Sequence, residues 1–168
     1  LLIDGGHSST AVGPMEVFHS AGVLWNCFVG EQEAPLFRVS TASVDGKPVR
    51  ADGALRLTPD SAIADVEKTD LILMPSVGLE LDQAIAKNAR TLTWMRERYE
   101  AGAAIAGVCS GVALLAEAGL LDGKRATTHW GLAEDYGRRY PSVRWQPEYF
   151  VTEDDNVFCA AVFTRPSI

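Results

Sequence analysis

The sequence predicts an α/β domain on a mostly parallel sheet with helices on both faces, and three observations lead there. Apolar runs of strand length alternate with helically periodic segments along the chain. Asp70–Met74 is a continuous apolar run, the pattern of a strand covered on both sides. A third run, from Ala103, ends in Gly107-Val-Cys109-Ser-Gly111 and passes directly into the helix-forming residues that follow. That last pattern is strand, sharp turn, helix: a nucleophile elbow with Cys109 at its apex.

Leu1–Ile3 reads as the end of a buried strand. Asp4–Thr10 reads as a loop leading into a helix over Pro14–Ala21, with Pro14 in its first turn and Gly22 as its stop. Leu36–Ser40 alternates as a strand does. Ser43–Val49 carries an Asp-Gly turn, and Leu55–Leu57 supplies the returning strand of a hairpin. Thr58-Pro-Asp60 opens a short helix to about Lys68. After the Asp70–Met74 strand comes a Pro75–Gly78 loop. Leu81, Ile85, Leu92, Met95 and Tyr99 then recur at helical spacing and predict a long amphipathic helix to about Glu100. Beyond the elbow, a helix is expected over Leu132–Arg139. Strands are expected over Val143–Trp145, at Phe150-Val151, and, after an acidic turn, over Asn156–Cys159.

With 168 residues, 47% of them hydrophobic, residues 1–168 suffice for one domain with a sizeable core. No apolar run is long enough to span a membrane, and no signal peptide is visible. The chain opens without methionine, as a trimmed chain would. A net charge of −7 argues against direct grip on nucleic acid. Cys27, Cys109 and Cys159 are odd in number and show no ligand spacing, so no disulfide framework, metal site or cofactor is expected. They suit a reducing cytoplasm. Cys27 and Cys159 read as small hydrophobes.

In an open α/β sheet, ligands bind beyond the carboxyl ends of the strands. The loops after Ile3 and Met74 should meet the Cys109 elbow there. A helix N-terminus beside the sulfur favours thiolate over thiol. His129, twenty residues on, is placed to take and return the thiol proton as the second catalytic residue. The Ser110 N–H is one candidate donor to a developing negative charge, and Val77 or Gly78 could supply another. His7 could line the pocket; His19 reads as structural.

Ala106 to Trp130, with its elbow and Thr127-Thr128-His129-Trp130, resembles the PfpI-like, class I glutamine amidotransferase-like superfamily. Within it, the resemblance is to domains at the N-terminus of AraC-type transcriptional regulators, a branch that also holds isonitrile hydratases. Gly13–Phe18 and Asp70–Pro75 are similar to that branch's first-helix and central-strand motifs. The resemblance implies a flavodoxin-like sandwich, commonly dimeric, with His129 near Cys109. It also implies a carboxylate from the first strand–helix loop, and the matching position here is Thr10. A hydroxyl cannot act as a general base near neutral pH. The end, Cys159–Ile168, lacks the expected Ala-Gly and closing helices, and the chain contains no helix-turn-helix.

Three functions are therefore expected in descending order. The first is a ligand-sensing and dimerisation domain of an AraC-type regulator. It would bind a small molecule around Thr10, Val77, Gly78 and Ser110 near Cys109, and reach DNA only through a separate C-terminal domain. The second is a cysteine-dependent hydratase or amidase-like hydrolase using Cys109 and His129. The third is a redox- or electrophile-sensing thiol.

Overall fold

A computed structural model describes residues 1–51, 53 and 55–161. Leu2 and Ile3 are buried as expected, but Leu1–Ile3 form no strand. The Leu1 amino group donates to the Leu73 carbonyl at 2.8 Å and the Leu2 N–H to the Ala42 carbonyl at 2.8 Å, so the first residues bridge two neighbouring segments.

Helix α1 spans Ser8–Ser20, six residues longer at its start than the sequence suggested. Pro14 therefore stands inside the helix, where it removes the N–H that would bond the Thr10 carbonyl. The expected loop Ser8–Thr10 is the first helical turn. Gly22, at φ 75°, ends this segment as expected. A further short helix, α2 (Leu24–Phe28), follows.

The stretch Leu36–Ser40 forms no strand. Leu36 and Phe37 are both exposed, so its alternation does not mark a buried face. Strand β1 (Ala42–Ser43) comes next. The hairpin is present, with β2 (Val49–Arg50) antiparallel to β3 (Arg56–Leu57). The helix expected after Thr58 is replaced by β4 (Ser61–Ala62), parallel to β1, and a single 3₁₀ turn, Ile63–Asp65. The Asp60 carboxylate explains the change. It accepts hydrogen bonds from Thr41 N–H at 2.7 Å and Thr41 Oγ1 at 2.8 Å, holding the chain extended beside β1.

The principal sheet contains β5 (Leu71–Met74), β6 (Ala104–Val108), β9 (Val151–Asp154) and β10 (Val157–Ala160), in the order β5-β6-β10-β9. The pairs β5–β6 and β6–β10 are parallel, and β9–β10 is an antiparallel hairpin. That hairpin turns at Asp155 and Asn156, both with positive φ, which is the acidic turn read from the sequence. Helix α3 (Leu81–Glu100) joins β5 to β6 as expected, and α4 (Val112–Glu117) follows the elbow. A small parallel pair, β7 (Arg125–Ala126) with β8 (Arg144–Trp145), flanks helix α5 (Ala133–Arg139).

Met74, Met95, Ile105, Leu114, Leu115 and Leu121 are fully buried and form the centre of the core between α3, α4 and the principal sheet. A groove of about 810 Å³ runs along 36–42 and 65–73 beside β5; none of its lining residues belongs to the elbow. Among the described residues, no helix is long and apolar enough to cross a membrane, and no His/Cys/Asp/Glu cluster could hold a metal ion. The departure read at the chain end falls largely on 162–168, outside the described residues.

Candidate functional site

Cys109 sits between β6 and α4 with φ 55°, a left-handed conformation that costs an L-residue with a side chain of order 1 kcal/mol. A one-turn 3₁₀ helix, Cys109–Gly111, makes the switch into α4. Two glycines permit it. A Cβ on Gly111 would lie 2.1 Å from the Pro75 carbonyl oxygen, and one on Gly107 would lie 2.9 Å from Leu115 Cδ2. The loop after β5 is thus pressed directly against the elbow.

That contact is reinforced by hydroxyl groups. Ser76 Oγ and Ser110 Oγ are 2.7 Å apart, and the Val77 N–H donates to Ser110 Oγ at 3.1 Å. The Ser76 N–H donates to Thr10 Oγ1 at 3.0 Å, and the Thr10 hydroxyl donates to the His7 carbonyl at 2.7 Å. Ser76 Oγ also lies 3.1 Å from His7 Nδ1. Thr10, Ser76 and Ser110 are all buried. The loops after Ile3 and Met74 do meet at the elbow, joined by three hydroxyls.

Each candidate can now be placed. Thr10 faces the loop after β5, at the position where the resemblance implied a carboxylate. Val77 does not aim its N–H into open space: Ser110 Oγ takes it, so Val77 is not available as an oxyanion donor. Gly78 has φ 78° in the same loop. The Ser110 N–H favours the ionised form of the Cys109 sulfur. His129 is half-buried and carried to the elbow by its neighbour, since the Thr128 hydroxyl donates to the Cys109 carbonyl at 2.8 Å. Its Nδ1 accepts the Gly131 N–H at 3.1 Å.

The thiolate preference expected from a helix start is not what the site provides. Burial pushes the Cys109 thiol above its ordinary value, and the Ser110 N–H and Ser76 hydroxyl only partly oppose this. Tyr136, which the sequence reading passed over, reaches the elbow from α5. Its hydroxyl donates to the Ser110 carbonyl at 3.3 Å, and burial, with the neighbouring Cys109, holds its phenol well above the usual range. Ser76 was also missed as an individual residue; its position directly after the strand-ending Pro75 was the available signal. Cys159 is buried, with its thiol pushed up to about 12 by burial, whereas Cys27 is exposed and not a core hydrophobe.

The family model of DJ-1/PfpI matches residues 1–166. The HTH-type transcriptional regulator CdhR of Pseudomonas aeruginosa is 32% identical over 127 residues; these are 76% of this chain, which spans only 37% of the regulator's length. Isonitrile hydratase of Pseudomonas putida is 35% identical over 86 residues, 49% of this chain and 36% of that protein. The crystal structure of an AraC family transcriptional regulator from Pseudomonas putida superposes with a TM-score of 0.74 at 23% identity, covering 94% of this chain and 80% of that one.

Proposed function

The chain belongs to the DJ-1/PfpI family, and from that premise we propose that it is the ligand-sensing and dimerisation domain of an AraC-type transcriptional regulator. The observation that carries this reading is Thr10. Where an acid/base carboxylate would be needed, a hydroxyl closes a hydrogen-bonded turn onto Ser76, while the elbow itself is retained. Similarity to CdhR supports the regulatory context. In this reading residues 1–168 form a single flavodoxin-like sandwich of the amidotransferase-like type, working in the cytoplasm. DNA is contacted by a helix-turn-helix domain elsewhere in the full protein. A small molecule sits against Cys109, His129 and Gly78, with the Ser110 N–H as a donor and Thr10 positioning the loop beneath it. The exposed apolar side chains of Val17, Trp25 and Phe28 support pairing of two copies.

One observation favours a second reading, a cysteine-dependent hydratase or amidase-like hydrolase: Cys109 keeps the strained apical geometry of a nucleophile. A thermal-shift screen of small polar metabolites that includes isonitriles and primary amides separates the two. A ligand at one hundred times its Kd stabilises by about 2.7 kcal/mol, which raises Tm by roughly 5–10 °C. Stabilisation without turnover is the expected outcome. Turnover of an isonitrile or amide by the parent but not by Cys109→Ala would replace the sensor with the enzyme.

A further inference from the structure

We infer that the groove beside β5 holds an extended segment of this protein's own chain, the residues that precede Leu1, as a strand inserted between β1 and β5. The groove has a volume of about 810 Å³, and its walls are formed by 36–42 on one side and 65–73 on the other, with Leu1 and Leu2 at one end.

Hydrogen bonds formed at that end set direction and register. The Leu1 amino group donates to the Leu73 carbonyl at 2.8 Å, and the Leu2 N–H to the Ala42 carbonyl at 2.8 Å. Successive residues therefore donate to opposite walls, as they do in a strand inside a sheet. Further on, Gly6 passes so close to Ser76 that a Cβ on it would lie 2.5 Å from the Ser76 carbonyl oxygen. Residues 1–6 thus run parallel to 73–76, and the chain before Leu1 lies alongside Leu71–Leu73.

Both walls present the groups such a strand needs. In the β5–β6 ladder the Ala104 N–H bonds the Asp70 carbonyl, so residues 70, 72 and 74 face β6 and the backbone of Leu71 and Leu73 faces the groove. Across from it, the Ser61 N–H bonds the Thr41 carbonyl. Strand β1 accordingly turns residues 41 and 43 to β4 and the backbone of Ser40 and Ala42 to the groove. Continued in parallel register, the first residue before Leu1 meets the Ser40 carbonyl and the Ala42 N–H. The second meets the Leu71 carbonyl and the Leu73 N–H. The Leu71 carbonyl also accepts the Thr69 hydroxyl at 3.0 Å, and its second lone pair serves the strand.

The surroundings suit a polypeptide rather than a charged end. Burial pushes the Leu1 amine down to about 6, whereas a peptide N–H at the same place makes the same bond to Leu73 with no charge to desolvate. Met15 and Phe18 of α1 and Trp94 of α3 line the groove, so the inserted residues are apolar, as in a strand covered on both sides. Insertion joins the β1–β4 pair to the principal sheet, in the order β4-β1-inserted strand-β5-β6-β10-β9. Leu1–Ile3 then become the carboxyl end of that strand.

The test is amide hydrogen exchange of the full-length protein, read residue by residue. The Ala42 and Leu73 amides should exchange at least about 100-fold more slowly than in a chain that begins at Leu1, at a rate independent of protein concentration. Proline at the second position before Leu1 removes the N–H that meets the Leu71 carbonyl and should return Leu73 to fast exchange. Alanine there keeps the N–H and should leave the protection in place. Fast exchange at both amides in the full-length protein overturns the assignment, and this result needs no variant to fold. Protection that survives the proline also overturns it. So does protection that appears only as concentration rises, which would place a second copy in the groove.

Discussion

Substituting Gly111 with alanine tests whether close packing of the elbow on the loop after β5 holds the site together. The new Cβ would stand 2.1 Å from the Pro75 oxygen, 2.8 Å from its carbonyl carbon and 3.1 Å from the Met74 oxygen. An ordinary carbon–oxygen approach is about 3.3 Å, so the elbow and loop must separate by roughly 1 Å. Both obstructing groups are backbone, and neither can rotate aside. Separation also stretches the Ser76–Ser110 bond, which is 2.7 Å long. Overpacking in a well-packed interior typically costs 1–3 kcal/mol, and a backbone obstruction places this variant at the upper end, about 3 kcal/mol. For a chain of this length that lowers Tm by roughly 6–12 °C. Gly107→Ala is the internal control. Its Cβ meets Leu115 Cδ2 at 2.9 Å and Val112 Cγ2 at 3.2 Å, ends of side chains that can turn, so its loss should be about half as large. Thermal melts followed by far-UV circular dichroism give both values. A Gly111→Ala melt within about 2 °C of the parent would refute the close approach, because no relaxation of this backbone pair is that cheap.

Two more substitutions address the same region. Thr10→Val leaves the buried Ser76 N–H without its acceptor and should cost about 1–3 kcal/mol in urea denaturation, whereas Thr10→Ser, which keeps both hydrogen bonds, should cost less than about 1 kcal/mol. Cys109→Gly should be more stable than Cys109→Ala by about 1 kcal/mol, because only glycine adopts φ 55° without strain. Equal melts for that second pair would mean that the apex is not strained.

The elements legible in the sequence were those whose signals were local and unopposed. The apolar run before Met74, the periodicity from Leu81 to Tyr99 and the Gly-Val-Cys-Ser-Gly turn each determine their own conformation, and the structure follows all three. Tertiary contacts decided the others. Thr58–Lys68 has an acceptable helix start, but two hydrogen bonds from Thr41 to Asp60 keep it extended. Pro14 looked like a helix opener, yet α1 begins at Ser8, where the Thr10 hydroxyl closes the first turn on the His7 carbonyl. At the site, the residue types around Cys109 could be named, but the use of their hydrogen bonds could not. Nothing local in Pro75–Gly78 says that the Val77 N–H is taken by a serine thirty-three positions away. The balance at the thiol was equally non-local, since burial by neighbouring elements outweighs the adjacent Ser110 N–H.

Thr10 does something in this arrangement that a carboxylate could not. Its oxygen accepts the Ser76 N–H while its proton goes to the His7 carbonyl, and an ionised carboxylate has no proton to donate. The loop after β5 is therefore tied to the first turn of α1 by a neutral link, and no fixed negative charge is added beside Cys109. The tie is also direct. Thr10 is the third residue of α1, and the same helix carries Val17, 71% exposed, further along. A group that displaces Ser76 must either break a buried hydrogen bond, costing about 1–3 kcal/mol, or carry the start of α1 with it. Since helices shift as near-rigid units more readily than buried donors go unpaired, the second course is the cheaper one. Replacing Thr10 by valine consequently removes more than stability: it uncouples the loop that touches Cys109 from the helix that reaches the apolar surface.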